Sequence, residues 1–202
     1  MFGAKSASQG NFNSGLKVKK KKKHSPLALF VILLVTAAVI LLVRHFHIKN
    51  FHVIEPDLLY TSGQPRGMDY TRLLYRYHIG AIVNIRSASE HREKNWYNEE
   101  VTWVRNNGVK YFELPIDRSM NRANYFPDQA TQKEFLKIMA DKTNLPVLLH
   151  GSSGRKRVSM LTAVWAVRTQ GYTAAKAIEL VQIIKERPVT EAERNFVASL
   201  AK

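Results

Sequence analysis

Between residues 51 and 202, short apolar segments alternate with longer amphipathic ones. The runs "AIVNIR" at 81–86 and "PVLLH" at 146–150 have the length and apolar content of buried strands. The segments "DYTRLLYRYHI" at 69–79 and "QATQKEFLKIMADK" at 129–142 instead carry apolar residues at helical spacing. Strands that alternate with helices are typical of an α/β domain. We therefore predict a central, mostly parallel sheet flanked by helices.

Two further strands are predicted, one at the start of the stretch 58–65 and one at 110–116, and a long amphipathic helix is predicted at 89–108.

Capping residues indicate where several helices begin. Asp69 and Asp128 each stand just before an apolar-periodic segment and are predicted to cap it. Thr190 and Glu193 have the spacing of a capping box, which predicts the start of the last helix.

A long uncharged run, "PLALFVILLVTAAVILLV", occupies residues 26–43, and Thr36 is its one polar residue. At about 1.5 Å per residue, a helix of this length just spans the hydrocarbon core of a bilayer. The segment after it, "RHFHIKNFH", offers no small-residue cleavage site, which disfavours a cleaved signal peptide. We predict one transmembrane helix before the α/β domain. A cleaved signal and a buried core helix are the alternatives.

The charge is distributed unevenly around that run. The chain has a net charge of +15, and residues 1–50 contain nine Lys or Arg and no acidic residue. A basic tail is compatible with nucleic-acid binding, but the apolar neighbour favours a membrane, and no nucleic-acid partner is predicted. The composition of residues 1–25 predicts a disordered tail. The positive-inside rule places that tail in the cytoplasm. Residues 44–54 are then a linker, and 55–202 an extracytoplasmic domain, periplasmic if the host is a Gram-negative bacterium.

The segment "VLLHGSSGRKRVSM" predicts an anion site. A strand ends at His150, a loop with two glycines follows, and a helix begins near Arg157. Loop N–H groups and a helix N-terminus attract anions, and an arginine adds a two-pronged donor for phosphate. Consecutive cations at a helix start are otherwise unfavourable. The predicted phosphate-binding residues are Ser152, Ser153, Gly154, Arg155, Lys156 and Arg157.

This loop resembles the H-C-x5-R signature of the cysteine-dependent phosphatases. His150, Gly154 and Arg157 match that signature, and Gly151 stands where the cysteine is expected. Three further stretches resemble bacterial members of the dual-specificity phosphatase family: "LYTSGQP", "AIVNIRSASE" and "YFELPID". The resemblance covers residues 51–202. It implies a fold of the cysteine-phosphatase type and, for active relatives, hydrolysis of phosphate monoesters.

The resemblance also implies a role for individual residues. In active relatives a cysteine thiolate attacks phosphorus, while an arginine and loop amides stabilise the phosphoryl oxygens and an aspartate protonates the leaving oxygen. Arg157 is then the phosphate clamp, and the loop from Gly151 to Lys156 supplies the amides. Asp117, 34 positions before Gly151, is the expected acid, with Asp128 as the fallback. The family needs no metal or other cofactor, and none is predicted.

Two departures from the family pattern decide the predicted activity. Gly151 has no side chain, so the covalent route through a phosphocysteine is absent. Val158 replaces the hydroxyl residue that usually follows the arginine, although Ser159 is adjacent. Rescue by Ser152 or Ser153 requires a positioned base, and the ring of His150, a supporting residue, is expected to point away from the loop. We predict a phosphatase-like domain that is inactive or traps its substrate.

Two other classes of function stay open at this point. One is a membrane-tethered module that binds a phosphorylated protein or a small phosphorylated molecule and has no catalytic role. The other is a structural anchor protein, for which Arg157 has no phosphate to bind. The sequence predicts neither the oligomeric state nor the substrate, and it leaves open whether Gly151 is native or replaces a cysteine.

Overall fold

The structure is a computed structural model that describes residues 25–91, 94–116 and 125–201. The chain divides into two compact units, Met1–Leu42 and Val43–Lys202. Helix α1 covers Pro26–Phe46, so the helix predicted at 26–43 is present. Among the described residues, however, no helix combines the length and the apolar character needed to cross a membrane. The predicted transmembrane helix is therefore not confirmed, and the extracytoplasmic location stays a prediction.

The second unit is built around one five-stranded sheet with the order β1-β2-β5-β3-β4. Its strands are β1 His52–Glu55, β2 Leu59–Ser62, β3 Ala81–Asn84, β4 Lys110–Glu113 and β5 Val147–His150. All neighbouring pairs are parallel except β1 and β2, which are antiparallel. The predicted α/β class is thus confirmed, and the sheet is mixed because one antiparallel strand closes an edge.

The register brings three strand ends to the same level. Ser62 at the end of β2 and Asn84 at the end of β3 both pair with His150 at the end of β5. Ligands of open α/β sheets bind beyond the carboxyl ends of the strands. The loop that follows His150 therefore leaves the sheet at its centre, between two other strand ends.

Seven helices of the described chain surround this sheet. They are α2 Met68–Tyr75, α3 Ala88–His91, α4 Asn95–Asn107, α5 Gln129–Ala140, α6 Lys156–Gln170, α7 Ala174–Lys185 and α8 Glu191–Leu200. Asp128 caps α5 by accepting from Thr131 N, as predicted. Thr190 and Glu193 form the predicted capping box of α8. The predicted end of α4 at Gly108 is also confirmed, because this glycine adopts the left-handed conformation.

Other local predictions are wrong. Asp69 does not cap α2: it lies inside the first turn, where its carboxylate accepts from Arg66 N. The helix predicted over 89–108 is two helices, because Lys94 adopts an extended conformation before α4. Strand β1 begins at His52, inside the predicted linker 44–54, and its alternate residues are partly buried as at a sheet edge.

Apolar residues cover both faces of the sheet. Leu149 and Val83 point to one face and pack with Phe135 and Leu161 of the flanking helices. Leu148 and Ile82 point to the opposite face and belong to a second cluster. This alternation is the expected consequence of the two-residue period of strands. Strand β5 and helix α6 therefore lie at the centre of the domain, and the loop between them is held at both ends.

Candidate functional site

The loop between β5 and α6 lines a cavity of about 340 Å³. The structure thus brings together the phosphate-binding residues predicted from the sequence. The lining residues are Tyr125, Gly151, Ser152, Ser153, Gly154, Arg155, Lys156, Arg157, Val158, Lys185 and Arg187. Five of these carry a positive charge and none is acidic, so the cavity has the composition of an anion site.

Gly154 allows this loop to approach the turn after β2. Its φ is +71°, in the left-handed region, and a Cβ built there would lie 2.3 Å from Gly63 N. No side chain fits at that distance, and only glycine adopts this conformation freely. The backbone after β2 therefore packs directly on the backbone of the loop, and this contact fixes the shape of the cavity wall.

Arg157 is held in place by residues from three parts of the chain. Its side chain is buried, with the residue 8% exposed. Nη1 and Nη2 donate to the two carboxylate oxygens of Glu90 at 2.6 and 3.0 Å. Nη1 also lies 3.2 Å from the carbonyl oxygen of Ile85 and 3.1 Å from that of Ile116. A two-pronged arginine–carboxylate pair has a fixed geometry, so the guanidinium is preorganised at the cavity.

Glu90 is charged in this arrangement. Burial acts to raise the pKa of its carboxyl group. The hydrogen bonds and charge of Arg157, together with the Ser87 N–H and Arg86, outweigh burial and hold the pKa of Glu90 below its usual value. The pair therefore sets a charged carboxylate against Arg157, while no acidic side chain is among the described residues that line the cavity.

The other cations of the cavity differ in whether a carboxylate forms an ion pair with them. Arg155 pairs with Glu186, and Lys185 pairs with Glu193, each at 2.5 Å. Lys156 lies 5.7 Å from the ring centroid of Tyr125. Within the described ranges, no carboxylate forms an ion pair with Lys156 or with Arg187. The cavity therefore carries an excess of positive charge beyond what the neighbouring acids neutralise.

His150 faces away from the cavity, as expected. Its Nε2 lies 3.0 Å from Glu100 Oε1, and both side chains are fully buried. Glu100 also accepts from Tyr111 Oη at 3.0 Å and from Gln64 Nε2 at 3.3 Å. Burial raises the pKa of Glu100, but the His150 ring and these hydrogen bonds outweigh it and lower the pKa. This network ties the end of β5 to α4.

Gly151 lies at the cavity where the nucleophile is expected. A Cβ built on it would lie 3.3 Å from Ile85 Cγ1 and 3.6 Å from Val158 Cγ2. These contacts are tight but involve side chains that move by a few tenths of an ångström. The position therefore has room for a small side chain, although the chain has none there.

Of two further predicted residues, Asp117 and Ser159, the structure describes Ser159 alone. Asp117 falls outside the described residues, as do Arg118 and Arg122 beside it. The last described residue before it, Ile116, contacts Arg157 through its carbonyl oxygen. Ser159 is buried in α6, where its hydroxyl donates to Lys156 O at 3.0 Å, and it does not line the cavity.

The sequence did not point to several residues of the site. Glu90 was part of a family-like stretch but had no predicted role, and Lys185 and Arg187 come from the chain around the end of α7. Gln64 and Arg86 form a hydrogen bond of 3.1 Å between the turn after β2 and the end of β3. Gln64 lies in the family-like stretch "LYTSGQP", and that resemblance is the sequence feature that points to it.

No metal centre is formed by the described part of the chain. Its His, Asp and Glu side chains do not gather in any group of three or more that suits a metal ion. The described residues that line the cavity instead offer loop amides and cationic side chains, which are groups that recognise anions.

A family model described as the tyrosine phosphatase family matches residues 45–199. The tyrosine-protein phosphatase-like protein OCA2 of Saccharomyces cerevisiae is 24% identical over 124 residues, which are 61% of this chain and 58% of the yeast protein. The inositol diphosphatase DSP3 of Arabidopsis thaliana is 23% identical over 149 residues, 74% of this chain and 68% of that protein. The chain thus spans little more than half the length of the yeast relative.

Solved structures share the fold. The core catalytic domain of the PP-IP phosphatase SIW14 from S. cerevisiae, in complex with citrate, superposes with a TM-score of 0.60 at 17% identity. The match covers 74% of this chain and 84% of that one. PTPMT1 in complex with PI(5)P superposes with a TM-score of 0.61 at 16% identity, covering 75% of this chain and 94% of that one.

Proposed function

The chain belongs to the tyrosine phosphatase family, and we propose that it binds phosphate monoesters in the Gly151–Arg157 loop without hydrolysing them through a phosphocysteine. The single observation that carries this proposal is the contrast between two positions of one loop. Arg157 is buried and fixed by Glu90, whereas Gly151 has no side chain to attack phosphorus. The recognition half of the site is present and the nucleophilic half is missing.

The charge of the cavity supports phosphate as the anion. A phosphate monoester carries up to two negative charges and three oxygens that accept hydrogen bonds at neutral pH. Arg157 presents a planar guanidinium, and Lys156 and Arg187 add positive charge that no acidic side chain of the described ranges neutralises. Asp117 is the proposed general acid of the family reaction, a role that has no effect without a nucleophile.

The size and charge of the cavity favour a small ligand with more than one phosphate group. Two cations that line the cavity come from different parts of the chain, since Lys156 begins α6 and Arg187 follows α7. Among the relatives, one is an inositol diphosphatase, and one structure holds PI(5)P. We propose the same chemical class here, a phosphorylated polyol, with one phosphate in the loop and another near Arg187.

Isothermal titration calorimetry on the full chain tests the proposal. Inorganic phosphate and inositol hexakisphosphate are the probes, and Arg157→Ala is expected to remove measurable binding of inorganic phosphate. Arg187→Ala is expected to weaken inositol hexakisphosphate about tenfold and inorganic phosphate much less. Arg194→Ala is the matched control, since Arg194 is exposed on α8 and does not line the cavity.

Turnover separates a binder from an enzyme. Release of p-nitrophenol from p-nitrophenyl phosphate is expected to stay at background with the unaltered chain. Hydrolysis above background that Arg157→Ala removes would contradict the proposed inactivity and would make Ser152 or Ser153 the suspected nucleophile. Absence of phosphate binding by the unaltered chain would refute the proposed function as a whole.

A further inference from the structure

Two residues that precede β1 hold the outer side of the loop. Asn50 Nδ2 donates to the carbonyl oxygen of Ser153 at 2.6 Å. Lys49 Nζ donates to the carbonyl oxygen of Ser152 at 3.2 Å, and these contacts join positions 103 residues apart. Sequence reasoning assigned both residues to a linker. They are instead in direct contact with the backbone of the anion loop.

The direction of these hydrogen bonds determines where the loop amides point. In a trans peptide, the carbonyl of one residue and the N–H of the next point in opposite directions. Because the carbonyls of Ser152 and Ser153 face Lys49 and Asn50, the N–H groups of Ser153 and Gly154 face the other way. Within the described ranges, no backbone oxygen accepts from the N–H groups of residues 152–155. These amides are therefore available to an anion.

The backbone at Lys49 and Asn50 allows these two side chains to reach the loop. Asn50 has a φ of +45°, in the left-handed region that asparagine tolerates better than most residues. Lys49 O accepts from Gly63 N at 2.7 Å, and the Lys49 stem lies so close to Gly63 that a Cβ there would be 2.9 Å from its Cδ. Gly63 in turn packs against Gly154. Three parts of the backbone therefore pack against one another in order: residues 49–50, the turn after β2, and the loop between β5 and α6.

Charge adds to this arrangement. Burial, together with the positive charges of Arg66, Arg155 and Arg86, lowers the pKa of the Lys49 amine. A lysine is placed among other cations at a cost in free energy, and that cost falls when an anion is bound nearby. The position of Lys49 is thus consistent with a role that depends on the anion.

We infer that Lys49 and Asn50 are positioning residues of the phosphate site, which turn the carbonyls of Ser152 and Ser153 outward so that the next two amides face the ligand. This inference rests on the proposed function, since it concerns the same loop. Neither residue is among those that line the cavity. Both act through the backbone of the loop.

The test compares variants of the full chain by their affinity for inorganic phosphate. Asn50→Gly removes the amide without straining the left-handed backbone, and it is expected to weaken phosphate binding about fivefold. Lys49→Met keeps the aliphatic stem against Gly63 and removes the donor, with a similar expected loss. Asp57→Gly is the control, since Asp57 also has a positive φ of 60° but lies in the turn between β1 and β2. Its affinity is expected to be unchanged.

A second readout distinguishes positioning from folding. Phosphate is expected to shift the 15N–1H resonances of Ser153 and Gly154 in the unaltered chain and to shift them less in Asn50→Gly, even at saturation. If Asn50→Gly and Lys49→Met bind phosphate like the unaltered chain while Arg157→Ala does not bind it, this inference is overturned and the proposed function stands. Equal losses in Asn50→Gly and Asp57→Gly also overturn it. If the unaltered chain binds no phosphate, both fail together. Lys49→Met decides the question if Asn50→Gly does not fold.

Discussion

Glu90 and Arg157 are joined by two hydrogen bonds, of 2.6 and 3.0 Å, although they lie 67 positions apart in the chain. Glu90 belongs to the short helix α3 after the strand β3, and Arg157 to the first turn of α6. The pair therefore connects the segments that follow β3 and β5. It also offsets the unfavourable position of a cation at a helix N-terminus.

We expect Glu90→Gln to destabilise the domain by about 2 kcal/mol, because it leaves a buried guanidinium without its counter-charge. Phosphate partly restores that charge, so inorganic phosphate is expected to stabilise this variant more than the unaltered chain. Urea unfolding with and without phosphate measures both effects. Glu134→Gln is the control, since its pair with Lys137 is exposed and is expected to contribute less than about 0.5 kcal/mol. Equal effects of the two substitutions would contradict the prediction.

Stability is expected to fall in acid, and Glu90 contributes to that fall. Its pKa is lower in the folded state than its ordinary value of 4.5, so the unfolded state binds more protons between the two pKa values. The contribution is complete above pH 4.5 and is lost as the pH falls through the folded pKa. Urea unfolding from pH 6 to pH 3 is expected to show a shallower loss for Glu90→Gln. Parallel pH profiles for the two proteins would mean that Glu90 is not charged against Arg157.

We expect Gly151→Cys to gain phosphatase activity. The added Cβ is 3.3 Å from Ile85 Cγ1, so a slight movement of that side chain accommodates it. Cations and loop amides lower the pKa of a thiol placed there and produce the reactive thiolate. Hydrolysis of p-nitrophenyl phosphate is the measurement, and Gly151→Ser is the matched control of nearly the same size.

In the Gly151→Cys background, Asp117→Ala is expected to reduce turnover about 100-fold if Asp117 is the general acid. Activity in Gly151→Ser equal to that in Gly151→Cys would show that size rather than thiolate chemistry was missing. If Gly151→Cys folds and binds phosphate but does not hydrolyse p-nitrophenyl phosphate, residues other than Gly151 also prevent hydrolysis.

Two glycines with nearly the same backbone conformation are expected to respond differently to alanine. Gly171 has a φ of +66° and open space where its Cβ would lie, so Gly171→Ala costs only the backbone strain of about 1 kcal/mol. Gly154 has a φ of +71° but would place its Cβ 2.3 Å from Gly63 N. We expect Gly154→Ala to lose phosphate binding. We also expect it to lower the thermal midpoint of unfolding several times further than Gly171→Ala does. Similar midpoints for both variants would show that the two backbones can separate at little cost.

The elements that depend on local patterns could be predicted from the sequence. The buried run of β5, the cap at Asp128 and the helix end at Gly108 are each determined by residues within a few positions, and the structure confirms them. The anion loop was predicted for the same reason, since its glycines and cations are consecutive. The helix over 26–43 was also predicted correctly, but its assignment as a membrane span is not confirmed.

The parts that depend on distant contacts could not be predicted. Glu90 has no local feature that distinguishes it from other acidic residues of its segment, and only the folded chain places it against Arg157. Asn50 pairs with a carbonyl 103 positions away, and β1 becomes a strand because β2 offers an edge. Sheet edges and long-range ion pairs are properties of the topology and leave no periodic signal in the sequence.

Gly151 supplies neither a nucleophile nor the negative charge that a cysteine thiolate carries. A thiolate at this position would repel a bound phosphate, because two negative charges at short distance raise the free energy of the complex. With Gly151, the ligand meets the cations of the loop and no opposing charge. Under the proposed function, the expected result is retention, in which a phosphorylated ligand dissociates slowly from this site.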